Sequence, residues 1–82
     1  MTAEISRSGS KNEIMAPAAL GAAIREQRRS HHLTQSELAG LAGTGVRFVS
    51  ELERGKPGAE IGKIMDVLAV LGLRLQVVEA SP

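Results

Sequence analysis

The segment LTQSELAGLAGTGVRFVSELERGK, residues 33–56, decides how this chain of 82 residues is expected to fold. Thr34 and Glu37 have the spacing of a capping box, in which the hydroxyl and the carboxylate each accept a backbone N–H bond at a helix start. We therefore expect a helix that begins at Gln35 and ends at Gly43, because glycine adopts a left-handed cap conformation at little cost.

A second helix is predicted from residue 44 or 45 to about Arg54, and its residues divide by helical phase. The core stripe, spaced at i, i+3, i+4 and i+7, is Gly45, Phe48, Val49 and Leu52. The opposite side carries Val46, Arg47, Ser50, Glu51 and Arg54. Two short helices joined by a tight turn are the unit that lays one helix in the DNA major groove, so we expect this opposite side to face DNA.

The residues on the DNA-facing side of this helix suggest different kinds of contact. Arg47 is the best candidate for reading a base, because its planar guanidinium can donate to O6 and N7 of guanine together. Val46 could cover a thymine methyl group, Ser50 could bond a base or a phosphate, and Glu51 could accept from cytosine N4 but would repel phosphate. Phosphate contacts are expected from Gln35 at the start of the first of these helices and from Arg54 and Lys56 just past the second. Ser36, Thr44 and Gly45, also at helix starts, are further DNA-binding candidates. For Arg54 and Lys56 the alternative is a solvated charge without a DNA contact.

Two further helices flank this pair. One is expected from Pro17 to about His31, and the other runs roughly from Ala59 to Leu71. The apolar stripe of the latter is Ile61, Ile64, Met65, Leu68 and Leu71, which Val67 and Val70 widen. Arg28 and Glu53 could form a partly buried ion pair between the first and third helices, or remain two separate surface charges.

After Gly72 the hydrophobic pattern changes to a period of two, which predicts a half-buried strand. The strand residues are Leu73, Arg74, Leu75, Gln76, Val77 and Val78. Because this is the single strand candidate, we expect it to pair with its twin across the two-fold axis of a homodimer. The alternatives are a frayed extended tail and a continuation of the fourth helix.

The expected organisation is therefore a flexible tail over residues 1–16, a helical domain over residues 17–72, and a dimerisation strand with a short tail over residues 73–82. The tail lacks the apolar periodicity of an ordered element. Its functional alternative is an arm that contacts DNA through Arg7 and Lys11.

Composition excludes several classes of function. The chain has no Cys, no Trp, no Tyr and one Phe, which disfavours thiolate metal sites and aromatic stacking on single-stranded nucleic acid. His31 and His32 are adjacent and do not converge on one metal ion, and Asp66 has no histidine near it in sequence. We expect no enzyme activity, no metal and no cofactor. No signal peptide or membrane-spanning stretch is evident, so a cytoplasmic location is expected.

These residues resemble the Cro/C1-type (XRE) helix-turn-helix family. The matching residues are Arg28, the run Leu33–Ala39, Gly43, the run Val49–Lys56, Leu68, Leu71 and Gly72, within a match from about Leu20 to Leu73. The resemblance implies a mainly α, lambda-repressor-like domain of four to five helices. It also implies that Gln35 contacts the DNA backbone, that Val46, Arg47 and Glu51 face the bases, and that Arg28 and Glu53 form a structural salt bridge.

Two residues depart from the family pattern. His32 stands where the family usually has glycine, so the turn after the first helix is expected to be shaped differently. Gly45 replaces the usual serine or threonine at the start of the recognition helix, which removes one cap and one phosphate contact. Thr44 is a candidate to substitute for that cap.

A narrower resemblance, carried by residues 47–57 and by Leu71-Gly72-Leu73 before a strand, is to HipB-like antitoxins, including the Y4mF type. It implies a C-terminal strand that pairs across a homodimer, repression of the protein's own operon, and binding of a HipA-type serine/threonine kinase toxin. We expect a sequence-specific repressor of a palindromic operator. A stand-alone regulator without a toxin, and a protein-interaction module on the same scaffold, remain alternatives.

Overall fold

Four helices account for most of the described chain, which comprises residues 3–4 and 14–80 of this computed structural model. In chain order the elements are β1 (Ala3–Glu4), α1 (Pro17–Ser30), α2 (Gln35–Ala42), α3 (Val46–Glu53), α4 (Ile61–Val70) and β2 (Leu73–Arg74). The predicted mainly α fold with four helices is confirmed. No helix within the described residues is long and apolar enough to cross a membrane.

The start and end of α2 follow the local signals in its sequence. The Thr34 hydroxyl accepts from the Glu37 N–H at 3.0 Å, and the Glu37 carboxylate accepts from the Thr34 N–H at 2.8 Å. Gly43 ends the helix with φ of 73°, a conformation that costs a glycine little. The predicted bounds of α2 are therefore confirmed.

The core lies where the four helices meet. Its fully buried large side chains are Ile24, Leu38, Val49, Val67, Leu68 and Leu71. Three assignments made from helical phase were wrong: Gly45 is exposed, and Ile61 and Met65 are 64% and 54% exposed. The reason is that α4 turns Ile64, Val67 and Leu68 towards the core, which leaves Ile61 and Met65 one turn apart on its outer side.

Helices α1 and α3 approach each other closely at Gly21. A Cβ atom at this position would lie 2.4 Å from the carbonyl oxygen of Leu52 and 2.6 Å from that of Glu53. Both neighbours are backbone atoms, so they cannot move aside by a side-chain rotation. The contact depends on the absence of a side chain at Gly21, a role that no local pattern in the sequence predicts.

The strands differ from the prediction. β2 comprises Leu73 and Arg74 alone, whereas a strand over residues 73–78 was expected, and residues 75–80 have no regular secondary structure. It pairs in parallel with β1, with Ala3 opposite Leu73 and Glu4 opposite Arg74. The premise of a single strand without a partner in its own chain was therefore wrong, because the amino-terminal segment supplies one. Pairing with a second copy stays a prediction.

β1 also lies inside the segment that was predicted to be a flexible tail. Pairing β1 with β2 joins residues about 70 positions apart, and no local pattern in the sequence signals such a contact. The candidate arm residues Arg7 and Lys11 lie outside the described residues.

Candidate nucleic-acid interface

A buried ion pair fixes the orientation of α3. The Glu53 side chain is 2% exposed, and its carboxylate accepts from Arg28 Nε at 2.6 Å and from Arg28 Nη2 at 3.1 Å. This is the bidentate geometry that arginine and a carboxylate favour. The hydrogen bond to Glu53 raises the pKa of Arg28 above its usual value. The ion pair expected between the first and third helices is present.

The same two residues also hold the start of α2. Arg28 Nη1 donates to the Leu33 carbonyl at 2.7 Å, and Gln35 Nε2 donates to Glu53 Oε1 at 3.1 Å. We call Arg28, Gln35 and Glu53 the anchor cluster. It joins α1, the beginning of α2 and the end of α3. Among the described residues, no buried side-chain nitrogen or oxygen lacks a hydrogen-bond partner, so the cluster joins the three helices without leaving an unpaired buried charge.

Gln35 was predicted to contact the DNA backbone. Its side-chain amide carries two N–H groups, and one of them is directed to Glu53. The second N–H is left for a contact outside the protein. Ser36, the next residue of α2, is exposed.

The amino-terminal half of α3 presents its predicted readers to solvent. Arg47 is 88% exposed and Val46 is half exposed, whereas Ser50 is partly buried. Phe48 packs against the core, and Lys63 Nζ lies 5.7 Å from the centre of its ring. Arg47 and Val46 therefore project from a helix that is held in place on its other side by core contacts.

Glu51 bonds two cations of its own chain, a role that was not predicted from the sequence. Its Oε2 atom accepts from Arg47 Nε at 3.3 Å and from Lys56 Nζ at 3.2 Å. These bonds, that from Lys56 first and that from Arg47 second, hold the pKa of Glu51 below its usual range. The i, i+4 spacing from Arg47 to Glu51 is the signal that could have predicted half of this arrangement.

The first turn of α3 has no side-chain cap. Gly45 occupies the cap position, and no side chain bonds the first N–H groups of the helix. The suggestion that Thr44 substitutes for the missing cap was wrong, because its hydroxyl lies 3.4 Å from the Gly45 carbonyl, towards which it donates. The free N–H groups at a helix start are the usual donors to a phosphate. Arg54 and Lys56, beyond the other end of α3, are exposed.

The turn between α1 and α2 contains a residue in the left-handed region. His32 has φ of 57°, a conformation that glycine adopts more cheaply than any other residue. His32 therefore adopts the backbone conformation that suits the glycine usually found at this position in the family. The turn retains a left-handed residue despite the substitution.

These features agree with comparisons to known proteins. The family model HTH_3, described as a helix-turn-helix, matches residues 24–78. The chain belongs to the helix-turn-helix family. This XRE-type family consists of DNA-binding regulators and not of enzymes, so the chain is a transcriptional regulator of this type. The resemblance drawn from the sequence is confirmed. Among the described residues, no group of three or more potential metal ligands is present.

Individual relatives of this helix-turn-helix protein are similar to it over most of its length. The HTH-type transcriptional regulator y4mF of Sinorhizobium fredii is 48% identical over 64 residues, which cover 78% of this chain and 84% of y4mF. The structure of the HipB–O4 20mer complex matches with a TM-score of 0.77 and 26% identity, covering 84% of this chain and 97% of that one. The HipA–HipB–O2–O3 complex matches with a TM-score of 0.77 and 25% identity, with the same two coverages.

Proposed function

We propose that this protein is a homodimeric repressor that reads a palindromic operator with α3. The observation that carries the proposal is the anchor cluster, which fixes α3 through buried contacts at one end and leaves Arg47 exposed at the other. A rigid helix with an exposed arginine on its outer side is suited to the major groove. In a dimer, two such helices would enter half-sites about one helical turn, roughly 34 Å, apart.

The proposed contacts divide into two kinds. Base edges are contacted by Val46, Arg47, Ser50 and Glu51. Phosphates are contacted by Gln35, Ser36, Thr44, Gly45, Arg54 and Lys56, through side chains and through the free N–H groups of α2 and α3. The phosphate contacts fix the register of the protein on DNA, and the base contacts supply the sequence preference.

The dimer is proposed to form through residues 73–78. Within the described residues, β2 pairs in parallel with β1, and the proposed dimer would extend this sheet by pairing the same strand of another copy. Removing the residues after Gly72 should yield monomers with much weaker operator binding, measured by analytical ultracentrifugation and gel shift. A truncated chain that stays dimeric would show that α4 holds the pair.

Replacing Arg47 by alanine tests the DNA contact. We expect operator binding to weaken by about 1–3 kcal/mol, with relaxed preference at one base pair. The matched control is Arg25→Ala, because Arg25 is an exposed arginine on α1 and lines a groove beside the carboxyl end of α3. Equal losses on operator and random DNA would make Arg47 a phosphate contact. Failure of the wild type to bind its own promoter at low salt would favour the protein-interaction module.

We further propose that the repressor is the antitoxin of a HipA-like serine/threonine kinase toxin. The support is the similarity to HipB in the HipA–HipB–O2–O3 complex and the 48% identity to y4mF. Co-expression with the kinase-like gene next to its own should restore growth and yield a complex that survives gel filtration. A neighbourhood without such a gene, or a kinase that the protein does not bind, would leave a stand-alone regulator.

A further inference from the structure

The side chains of Arg47 and Lys56 fold back onto one carboxylate oxygen. Both cations are largely exposed, at 88% and 60%, whereas Glu51 is 23% exposed. The two nitrogens lie 3.3 Å and 3.2 Å from the same Oε2 atom. We call these three residues the Glu51 clasp.

The backbone gives the clasp a fixed geometry. The Lys56 N–H donates to the Glu51 carbonyl at 3.1 Å, so the main chain already places the lysine beside the glutamate. Arg47 lies one helical turn before Glu51 on the same side of α3. Little extra ordering of the backbone is therefore needed to close the clasp in the free protein.

The clasp reduces the attraction of this surface for any polyanion. Two cations around one carboxylate carry a net charge of +1, whereas the same two cations without the carboxylate would carry +2. Affinity for random DNA comes almost entirely from cations that neutralise phosphates. A phosphate that approaches Arg47 or Lys56 must therefore compete with Glu51 for the same donors, and it also meets the repulsion of the carboxylate.

A suitable base pair removes this competition. Arg47 can exchange Glu51 for O6 and N7 of guanine, and the released carboxylate can accept from the amino group of a cytosine. A phosphate offers no donor to Glu51, so random DNA leaves the carboxylate without a partner, which is costly in a partly enclosed site.

We infer that Glu51 is a specificity-determining residue that withholds Arg47 and Lys56 from non-specific phosphates and releases them at a site that offers both a guanine and a cytosine amino group. The inference rests on the proposed DNA-binding function. It assigns Glu51 a restraining role in the free protein in addition to a contact in the complex.

The test is Glu51→Gln, which keeps the shape of the side chain and removes its charge. We expect affinity for a random duplex to rise and the ratio of operator to random affinity to fall by about tenfold, the value of one good base contact. The salt dependence on random DNA should become steeper by up to about two units of slope, because up to two more cations, Arg47 and Lys56, reach phosphates. Circular dichroism confirms that the variant is folded.

The control is Glu60→Gln, which removes the same charge from an exposed ion pair with Lys63. It should change operator and random affinity by the same small factor. If Glu51→Gln strengthens operator binding and random-duplex binding by the same factor, the clasp has no role in specificity. If it weakens the operator complex and leaves random binding unchanged, Glu51 contacts a base but restrains neither cation, which likewise overturns the inference.

Retention on heparin tests the clasp without any operator. Glu51→Gln should elute at higher salt than Glu60→Gln, because heparin is a polyanion that recruits the released cations. Equal elution of the two variants would refute the clasp itself. Absence of operator preference in the wild type, together with unequal elution, would refute the proposed function and leave the clasp intact.

Discussion

Replacing Gly21 by alanine should destabilise the domain, even though alanine is the better helix former. A Cβ atom at this position would lie 2.4–2.6 Å from the carbonyl oxygens of Leu52 and Glu53. Restoring an ordinary contact of 3.4 Å or more requires α1 and α3 to separate by about 1 Å, which close-packed interiors resist. The separation would also stretch the bonds between Arg28 and Glu53.

The expected size follows from two opposing effects. Overpacking typically costs about 1–3 kcal/mol, and the rigid backbone oxygens met here place Gly21 at the upper end of that range. The higher helix propensity of alanine returns about 1 kcal/mol, so the net loss should be about 2 kcal/mol. A chain of 82 residues has a free energy of unfolding of roughly 4–12 kcal/mol, so this loss is readily measured. Operator affinity should fall with it, because α3 loses its fixed position.

Urea denaturation followed by circular dichroism is the suitable assay, because the chain has no Trp or Tyr for fluorescence. Protein concentration must be constant, since any association between copies would shift the apparent stability. The control is Gly40→Ala in α2, where an added Cβ meets nothing within 4 Å, and stability should rise by about 0.5–1 kcal/mol. A Gly21→Ala protein as stable as the wild type would refute the close-contact reasoning.

Two further predictions concern polar contacts. Glu53→Gln should lower the free energy of unfolding by about 3 kcal/mol, because Arg28 then stays partly buried without a counter-charge. The control, Glu60→Gln in an exposed ion pair, should change the free energy of unfolding by less than about 0.5 kcal/mol. Equal effects of the two variants in thermal melts would contradict a stabilising role for the buried pair. Thr34→Ala should cost about 1 kcal/mol by removing the cap. The bonds from the Thr34 backbone and side chain lower the pKa of Glu37 from its ordinary value of 4.5. The stability that the ionised Glu37 carboxylate contributes is therefore complete above pH 4.5 and is lost as pH falls through the folded-state pKa. The difference between wild type and Glu37→Gln should therefore shrink in acid melts, whereas that between wild type and Thr34→Ala, which keeps the Thr34 N–H bond to the carboxylate, should change less with pH. A difference for Glu37→Gln that stays constant with pH would exclude a role for the Glu37 carboxylate.

The parts of the site that the sequence predicted depend on contacts within a few residues. The capping box needs only Thr34 and Glu37, three positions apart, and Gly43 ends α2 by its own backbone freedom. Helical phase placed Arg47 on the outer side of α3, and its exposure agrees. The residues alone left the pairing of Arg28 with Glu53 open, because their separation of 25 residues has no local signal, and the family resemblance favoured it.

Phase was less informative where a helix is apolar on several sides. In α4 the spacing of Met65 is as regular as that of Val67, yet Val67 is fully buried and Met65 is half exposed. Which side of such a helix is buried depends on how it rolls against its neighbours. The clasp around Glu51 likewise cannot be predicted from helical phase, because Lys56 reaches Glu51 only after the chain turns beyond the end of α3.

The sequence by itself determined the bounds of α2, the turn after it and the outward side of α3, because backbone preferences, caps and helical period act over a few residues. The tertiary structure alone decided the contact at Gly21, the roll of α4, the three-way bonding of Glu53 and the pairing of Ala3–Glu4 with Leu73–Arg74. Each of these joins elements distant in sequence, where close packing and the need to satisfy buried polar groups select one arrangement among several that local patterns allow.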